Sequence, residues 1–271
     1  MLSKLKRVFR AGKRSEIDMD REYALEQLAK YNAQFLIDDS GSMAGSRWVE
    51  ARDALMGVAR EALRYDADGI EVYFLNAEQK GRTVKNEDDV KELFDSVRPA
   101  SGTPTGERLE QILASYILRL EDAKAKAGSE SAKMKAGLGG AKAGLGDEKM
   151  KARLEDAEKI KPLNVIVITD GEPSDDPESV IIAAARRLDA GRFPLAQVGI
   201  QFIQVGDDRR ARKALERLDE ELGRMHDIRD IVDTRPYTGS KLTSDLLIAI
   251  LLGGINKRVD KVKNVEGVRR A

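Results

Sequence analysis

The feature that most restricts the fold is a near-continuous aliphatic run at residues 163–168, which ends in Thr169-Asp170-Gly171. A strand with one face in water alternates apolar and polar residues, and this run does not alternate. Such continuity is typical of a strand that is covered on both faces, as in a parallel sheet. The run therefore predicts the centre of a sheet with helices packed on each side.

The rest of the chain alternates between strand-like and helix-like segments. Strands are predicted at 33–37, 69–75, 163–168, 198–205 and 231–232, and helices at 47–65, 88–97, 107–120, 180–188, 211–222 and 242–259. Alternation of this kind favours βαβ units and a doubly wound α/β fold. In such a sheet, ligands bind at the carboxyl ends of the strands.

Composition shifts divide the chain into one domain with appendages. Residues 1–31 form a basic, helix-prone extension. We favour a solvated helix or frayed tail over an amphipathic helix that lies on an anionic membrane or docks on a partner. The domain covers 32–258 and is interrupted at 121–161 by a segment rich in Ala, Lys and Gly, which has too little apolar surface for the core. Residues 259–271 form a basic tail.

Composition also excludes several classes of protein. The chain has no cysteine and one histidine, His226, which disfavours thiolate metal sites and Ser-His-Asp catalysis. Lys plus Arg and Asp plus Glu number 47 each, so net charge does not indicate nucleic-acid binding. No apolar run approaches the roughly 20 residues that span a bilayer. We expect a cytoplasmic protein.

Three oxygen-rich segments fall at or near predicted strand ends. They contain two carboxylates and three hydroxyls: Asp38, Ser40, Ser42, Thr103 and Asp170. An all-oxygen set with few carboxylates suits Mg²⁺, and Mn²⁺ accepts the same ligands. Gly41 is expected to let the chain turn so that both serines face one ion.

Each of these residues also has a purely structural interpretation. Ser40 and Ser42 are good helix caps, Thr103 suits a turn before Pro104, and Asp170-Gly171 is a common turn pair. Asp39 occupies the variable position between the ligands and is expected to point elsewhere.

Three acids follow Asp170, and they bear on the ligand that the site would accept. Glu172, Asp175 and Asp176 are expected to repel an acidic ligand. Asp176 also fits a helix cap before Pro177.

Together the segments resemble the metal-ion-dependent adhesion site of von Willebrand factor type A domains. The residues that carry the resemblance are DDSGSM at 38–43, GTPTGERL at 102–109 and VIVITDG at 165–171. The resemblance covers about 32–258 apart from the insertion. It implies a six-stranded, mostly parallel sheet with one antiparallel edge strand. It also implies direct metal contacts from Ser40, Ser42 and Thr103, with Asp38 and Asp170 acting directly or through water.

Three functions from different classes follow from these features. The first is a non-enzymatic, metal-dependent protein-interaction module, in which an Asp or Glu of a protein partner completes the coordination of the ion. The resemblance further implies that the final helix can move when the metal site changes. The second is a structural protein that self-assembles into homo-oligomers through its appendages. The third, a Mg²⁺-dependent hydrolase, is disfavoured because the chain lacks a GxxxxGK[ST] phosphate loop and a histidine near the site.

Overall fold

The computed structural model describes residues 30–62, 69–77, 81–137 and 160–251. Residues 1–29 of the predicted N-terminal extension, most of the insertion and the C-terminal tail lie outside these residues. The domain boundaries at 31, 121, 161 and 258 therefore remain predictions.

Six strands form one sheet. They are β1 (Asn32–Ile37), β2 (Ile70–Phe74), β3 (Arg82–Val84), β4 (Leu163–Thr169), β5 (Val198–Gln204) and β6 (Val232–Arg235). Their order is β3-β2-β1-β4-β5-β6. The edge strand β3 pairs antiparallel with β2, and every other pairing is parallel. The prediction of a doubly wound, mostly parallel sheet with an antiparallel edge strand is confirmed.

The two central strands explain why the aliphatic run does not alternate. All seven residues of β4 and all seven of β5 are buried. Successive side chains point to opposite faces, so both faces of these strands must be covered. Ile166 and Ile168 contribute to one hydrophobic cluster and Val165 and Val167 to the other.

Helices cover both faces of the sheet. They are α1 (Ser46–Ala62), α2 (Glu87–Asp95), α3 (Thr105–Gly137), α4 (Pro177–Ala190), α5 (Arg209–Glu220), α6 (Leu222–His226) and a final helix, α7, at residues 244–251. The apolar residues of α1, α2 and α7 pack on one face, and those of α3 to α6 pack on the other. Among the described residues, no helix is long and apolar enough to cross a membrane.

The first part of the insertion is a continuation of α3. The predicted helix at 107–120 extends without a break to Gly137. This segment is rich in Ala and Lys, which have high helix propensity, so its composition favours continuation of the helix.

The C-terminal half departs from the sequence-based expectation at one helix. The segment predicted as a single helix at 211–222 is divided between α5 and α6. His226, the single histidine, is a half-buried residue at the end of α6.

Candidate metal site

Strand register brings the first and third oxygen-rich segments side by side. Ile37 at the end of β1 pairs with Ile168 near the end of β4. The Asp38 N–H continues this ladder by donating to the Ile168 carbonyl oxygen at 2.9 Å. Asp38 and Asp170 consequently emerge from neighbouring parallel strands at the same edge of the sheet.

Asp38 is a fully buried carboxylate. Its Oδ1 accepts a hydrogen bond from the Ser40 N–H at 2.8 Å, and its Oδ2 accepts one from the Thr169 hydroxyl at 2.6 Å. No basic side chain in the described part of the chain forms an ion pair with it. Burial raises the pKa of Asp38 above its ordinary value, although these hydrogen bonds oppose the shift, and the nearby charge of Asp170 raises it further. Within the described residues, Asp38 is therefore held by hydrogen bonds alone.

The two serines connect Asp38 to Asp170. The Ser42 hydroxyl donates to Asp170 Oδ1 at 2.8 Å, and the Ser40 and Ser42 hydroxyl oxygens are 3.0 Å apart. Because Ser42 uses its single hydrogen on Asp170, Ser40 must be the donor to Ser42. Neither hydroxyl caps a helix: Ser40 precedes a 3-10 turn and makes no side-chain cap hydrogen bond. Within this structure, the capping interpretation of Ser40 and Ser42 is wrong.

Thr103 approaches the same edge from the loop before α3. Its carbonyl oxygen accepts from the Thr105 and Ser174 N–H groups at 2.8 and 2.9 Å, which fixes the loop. Its side-chain hydroxyl faces Gly171, where an added Cβ would lie 3.5 Å from Thr103 Oγ1. Thr103 therefore borders the loop that carries Asp170.

The donor set fits a small, hard divalent cation. Every candidate ligand atom is an oxygen, and Asp38, Ser40, Thr103 and Asp170 are buried. Neighbouring ligands of an octahedral Mg²⁺ are about 2.8–3.0 Å apart, because the metal–oxygen distances are 2.0–2.1 Å. The hydrogen-bonded separations of 3.0 Å between the serine hydroxyls and 2.8 Å between Ser42 and Asp170 are compatible with this spacing.

In the described residues, no group of three or more His, Asp or Glu side chains is arranged to hold a metal ion. The candidate site has only two carboxylates, and its other candidate ligands are hydroxyl oxygens.

Asp39, next to the candidate ligand Asp38, has a structural role. It accepts hydrogen bonds from the Asn76 N–H at 2.7 Å, the Asn76 side-chain amide at 3.1 Å and the Ala77 N–H at 3.0 Å. The same Asn76 amide donates to the Gly102 carbonyl oxygen at 2.9 Å. The Asp39 carboxylate therefore bonds to the segment after β2, and Asn76 of that segment contacts the loop that carries Thr103. Asp39 is thus directed to partners other than the candidate ligands, as predicted.

The expected role of Gly41 is wrong. Gly41 begins the 3-10 turn Gly41–Met43, its φ is not in the left-handed region, and an added Cβ would meet no atom within 4 Å. A residue with a side chain could adopt this turn. Glycine is required instead at Gly106, where an added Cβ would lie 2.9 Å from the backbone of Asp176 and Pro177.

The acids after Asp170 are less repulsive than expected. Asp175 accepts hydrogen bonds from the Gly106 and Glu107 N–H groups at 2.9 and 2.8 Å, at the start of α3. Asp176 caps α4 by accepting from Ser179, and these hydrogen bonds hold the pKa of Asp176 below its ordinary value. Two of the three carboxylates thus face helix N-termini, whose partial positive charge offsets theirs. Of the three acids, Glu172 forms no such contact in the structure.

The capping role of Asp175 gives a first prediction. Asp175→Ala removes both hydrogen bonds to α3 and should destabilise the fold by about 1 kcal/mol, which lowers the melting temperature by about 2–4 °C. Glu172→Ala is the matched control and should leave the melting temperature unchanged. Equal melting temperatures for the two variants would contradict the capping role.

Sequence reasoning missed Arg47. Its guanidinium forms an ion pair with Asp170 Oδ2, and its Nη1 also donates to the Ser42 carbonyl oxygen at 3.3 Å. One signal was available: the first turn of α1 contains this basic residue and no acid. The positive end of the helix dipole favours the opposite arrangement, so an arginine there needs another partner.

Comparison with known proteins identifies the family. The model of the von Willebrand factor type A domain matches residues 34–232. The chain therefore belongs to the von Willebrand factor type A family, whose domains typically mediate protein–protein interactions. Matches among solved structures include the manganese-loaded TRAP protein of Plasmodium vivax, at 13% identity and a TM-score of 0.41, over 84% of this chain and 74% of that one. No curated protein sequence matches.

Proposed function

We propose that this chain is a cytoplasmic interaction module that binds one Mg²⁺ ion and through it a carboxylate of a protein partner. The ligands would be Asp38, Ser40, Ser42, Thr103 and Asp170. The observation that carries the proposal is the hydroxyl chain from Ser40 through Ser42 to Asp170, which brings two serine oxygens and a buried carboxylate together beside Asp38. Mn²⁺ accepts the same ligands and would substitute for Mg²⁺.

The chemistry of the ligands supports binding of an outside carboxylate. Two carboxylates just balance a divalent charge, and hydroxyls donate weakly, so the bound ion would remain a Lewis acid with a position open to a further oxygen. The chain's own residues provide the geometry. Asp38 is fixed by Thr169 and the Ser40 N–H, and Ser42 holds Asp170. Held in this way, the ligands need little rearrangement to receive an ion.

The arrangement favours binding over catalysis. Asp38 and Asp170 are the only carboxylates among the candidate ligands, and both already accept hydrogen bonds within the cluster. His226 ends α6, remote in sequence from all three segments. None of the five candidate ligands is therefore left over to act as a separate nucleophile or general base. Assembly through the appendages stays a prediction, because those segments lie outside the described residues.

The proposal predicts metal-dependent capture of a partner. Immobilised wild-type protein should capture a partner protein from a cell extract in buffer that contains Mg²⁺. It should not capture that protein in buffer that contains EDTA. Asp38→Asn should recover it in neither buffer, whereas Glu172→Ala should behave as wild type. Equal recovery by wild type and Asp38→Asn in both buffers would contradict metal bridging. Turnover in a phosphatase screen that Asp38→Asn abolishes would instead support the enzyme hypothesis.

A further inference from the structure

Arg47 places a positive charge next to Asp170, one of the candidate metal ligands. It is the second residue of α1, and its side chain is 35% exposed whereas the Asp170 side chain is fully buried. The guanidinium therefore reaches from the surface to a buried carboxylate. Trp48, its neighbour, packs against Phe74 and Phe94 with ring centroids 5.6 and 4.6 Å away, which fixes the first turn of α1.

The backbone after β5 is shaped to accept this guanidinium. At Gly206, an added Cβ would lie 2.7 Å from Arg47 Nε and 3.1 Å from Cζ and Nη2. Gly206 also has a φ of +76°, which residues with a side chain rarely adopt. The guanidinium is thus enclosed by three loops, those after β1, β4 and β5. Because its guanidinium is contacted from three sides, Arg47 is less mobile than a side chain in an ordinary surface ion pair.

Arg47 and a divalent cation would compete for the same negative charge. Asp38 and Asp170 together provide two negative charges, and Arg47 neutralises one of them. A cation bound to Asp170 directly or through water would also lie close to the guanidinium and be repelled by it. The Coulomb energy between the ion and the site is therefore smaller than five oxygen ligands alone would provide.

We propose that Arg47 is an internal counter-cation of the metal site, which lowers its affinity for divalent ions and leaves a bound ion more electrophilic toward the partner's carboxylate. This inference rests on the proposed function and adds a residue that sets the strength of the site. In the metal-free protein, Arg47 compensates the buried charge of Asp170. In the loaded protein, its charge adds to that of the ion and favours an acidic ligand.

A purely structural role for Arg47 makes the opposite prediction. If Arg47 mainly held Asp170 in position, its loss would weaken metal binding. Arg47→Gln removes the charge and keeps a hydrogen-bond donor, whereas Arg47→Lys keeps the charge and loses the planar guanidinium. Arg52→Gln is the matched control, because Arg52 lies on the same helix and its guanidinium bonds to Asp53.

Calorimetric titration of the metal-free proteins with Mg²⁺ alone, and then with Mn²⁺ alone, tests the inference. Arg47→Gln should bind about tenfold more tightly than wild type, a change of about 1.4 kcal/mol. Arg47→Lys and Arg52→Gln should stay close to wild type. If wild type binds Mg²⁺ and Arg47→Gln binds it no more tightly, the counter-cation inference is overturned and the proposed function stands. If wild type binds neither ion, both are overturned.

Thermal melting gives a second readout that does not depend on a partner. Without metal, Arg47→Gln should melt below Arg52→Gln, because Asp170 is left buried without its counter-charge. Saturating Mg²⁺ should raise the melting temperature of Arg47→Gln by more than it raises that of wild type. A smaller rise than in wild type would contradict the inference and indicate a positioning role.

Discussion

Asp38→Asn should abolish Mg²⁺ binding without lowering the stability of the metal-free protein. Asparagine keeps the shape of the side chain and its carbonyl oxygen for the Ser40 N–H. Its amide can donate to the Thr169 hydroxyl, which can reverse its role from donor to acceptor. The variant therefore loses the charge of Asp38 and keeps both hydrogen-bonded neighbours.

The expected direction of the stability change follows from burial. The pKa of Asp38 is raised in the folded protein, mainly by burial, so its ionised form is less favourable folded than unfolded at neutral pH. Replacing the carboxylate by a neutral amide removes this unfavourable contribution. Metal-free Asp38→Asn should consequently melt at or above the temperature of the wild type.

Melting curves with and without Mg²⁺ measure both effects. At a concentration of 100 times the dissociation constant, Mg²⁺ should stabilise the wild type by about 2.7 kcal/mol, which corresponds to about 5–10 °C. Asp38→Asn should show no such rise. A metal-free variant that melts well below wild type would show that Asp38 serves mainly to stabilise the fold.

Asp39→Ala should have the opposite effect, with a large loss of stability and retention of the metal site. The side chain is 2% exposed and accepts three hydrogen bonds from Asn76 and Ala77. Its removal leaves two backbone N–H groups without an acceptor in a largely buried setting. We expect a loss of about 3 kcal/mol, or about 6–12 °C in melting temperature.

Chemical denaturation of Asp39→Ala and Asp39→Asn tests this assignment. The asparagine variant keeps one acceptor oxygen and should lie between the alanine variant and wild type. Titration with Mg²⁺ well below the melting temperature should still show binding by Asp39→Ala, because Asp38, the serines and Asp170 remain. Loss of Mg²⁺ binding together with unchanged stability would mean that the roles of Asp38 and Asp39 are reversed.

Much of this architecture could be predicted from local patterns. The run at 163–168 identified β4 because burial on both faces removes the usual alternation. The antiparallel edge strand followed only from the family resemblance. β3 has three residues, two of them exposed, and it gives no periodic signal. Its existence depends on pairing with β2, which no local pattern encodes.

The candidate ligands were predictable, but their surroundings were not. Asp38, Ser40 and Ser42 follow a strand in a short motif, and Asp170 follows another. Arg47 and Asp170 form an ion pair although they are 123 positions apart in the sequence. Asp175 caps α3 from about 70 positions away. Contacts at such separations depend on the complete fold. The motif also led to a wrong prediction for Gly41. A glycine at this position suggested a backbone conformation that needs glycine, but a residue with a side chain could adopt the conformation observed.

Titration of the metal-free wild-type protein with Mg²⁺ in a calorimeter, with Asp38→Asn as the matched control, decides whether the chain binds a divalent ion through Asp38. We expect one ion bound per wild-type chain and no binding to the variant. No binding to the wild type, or equal binding to both proteins, would contradict it.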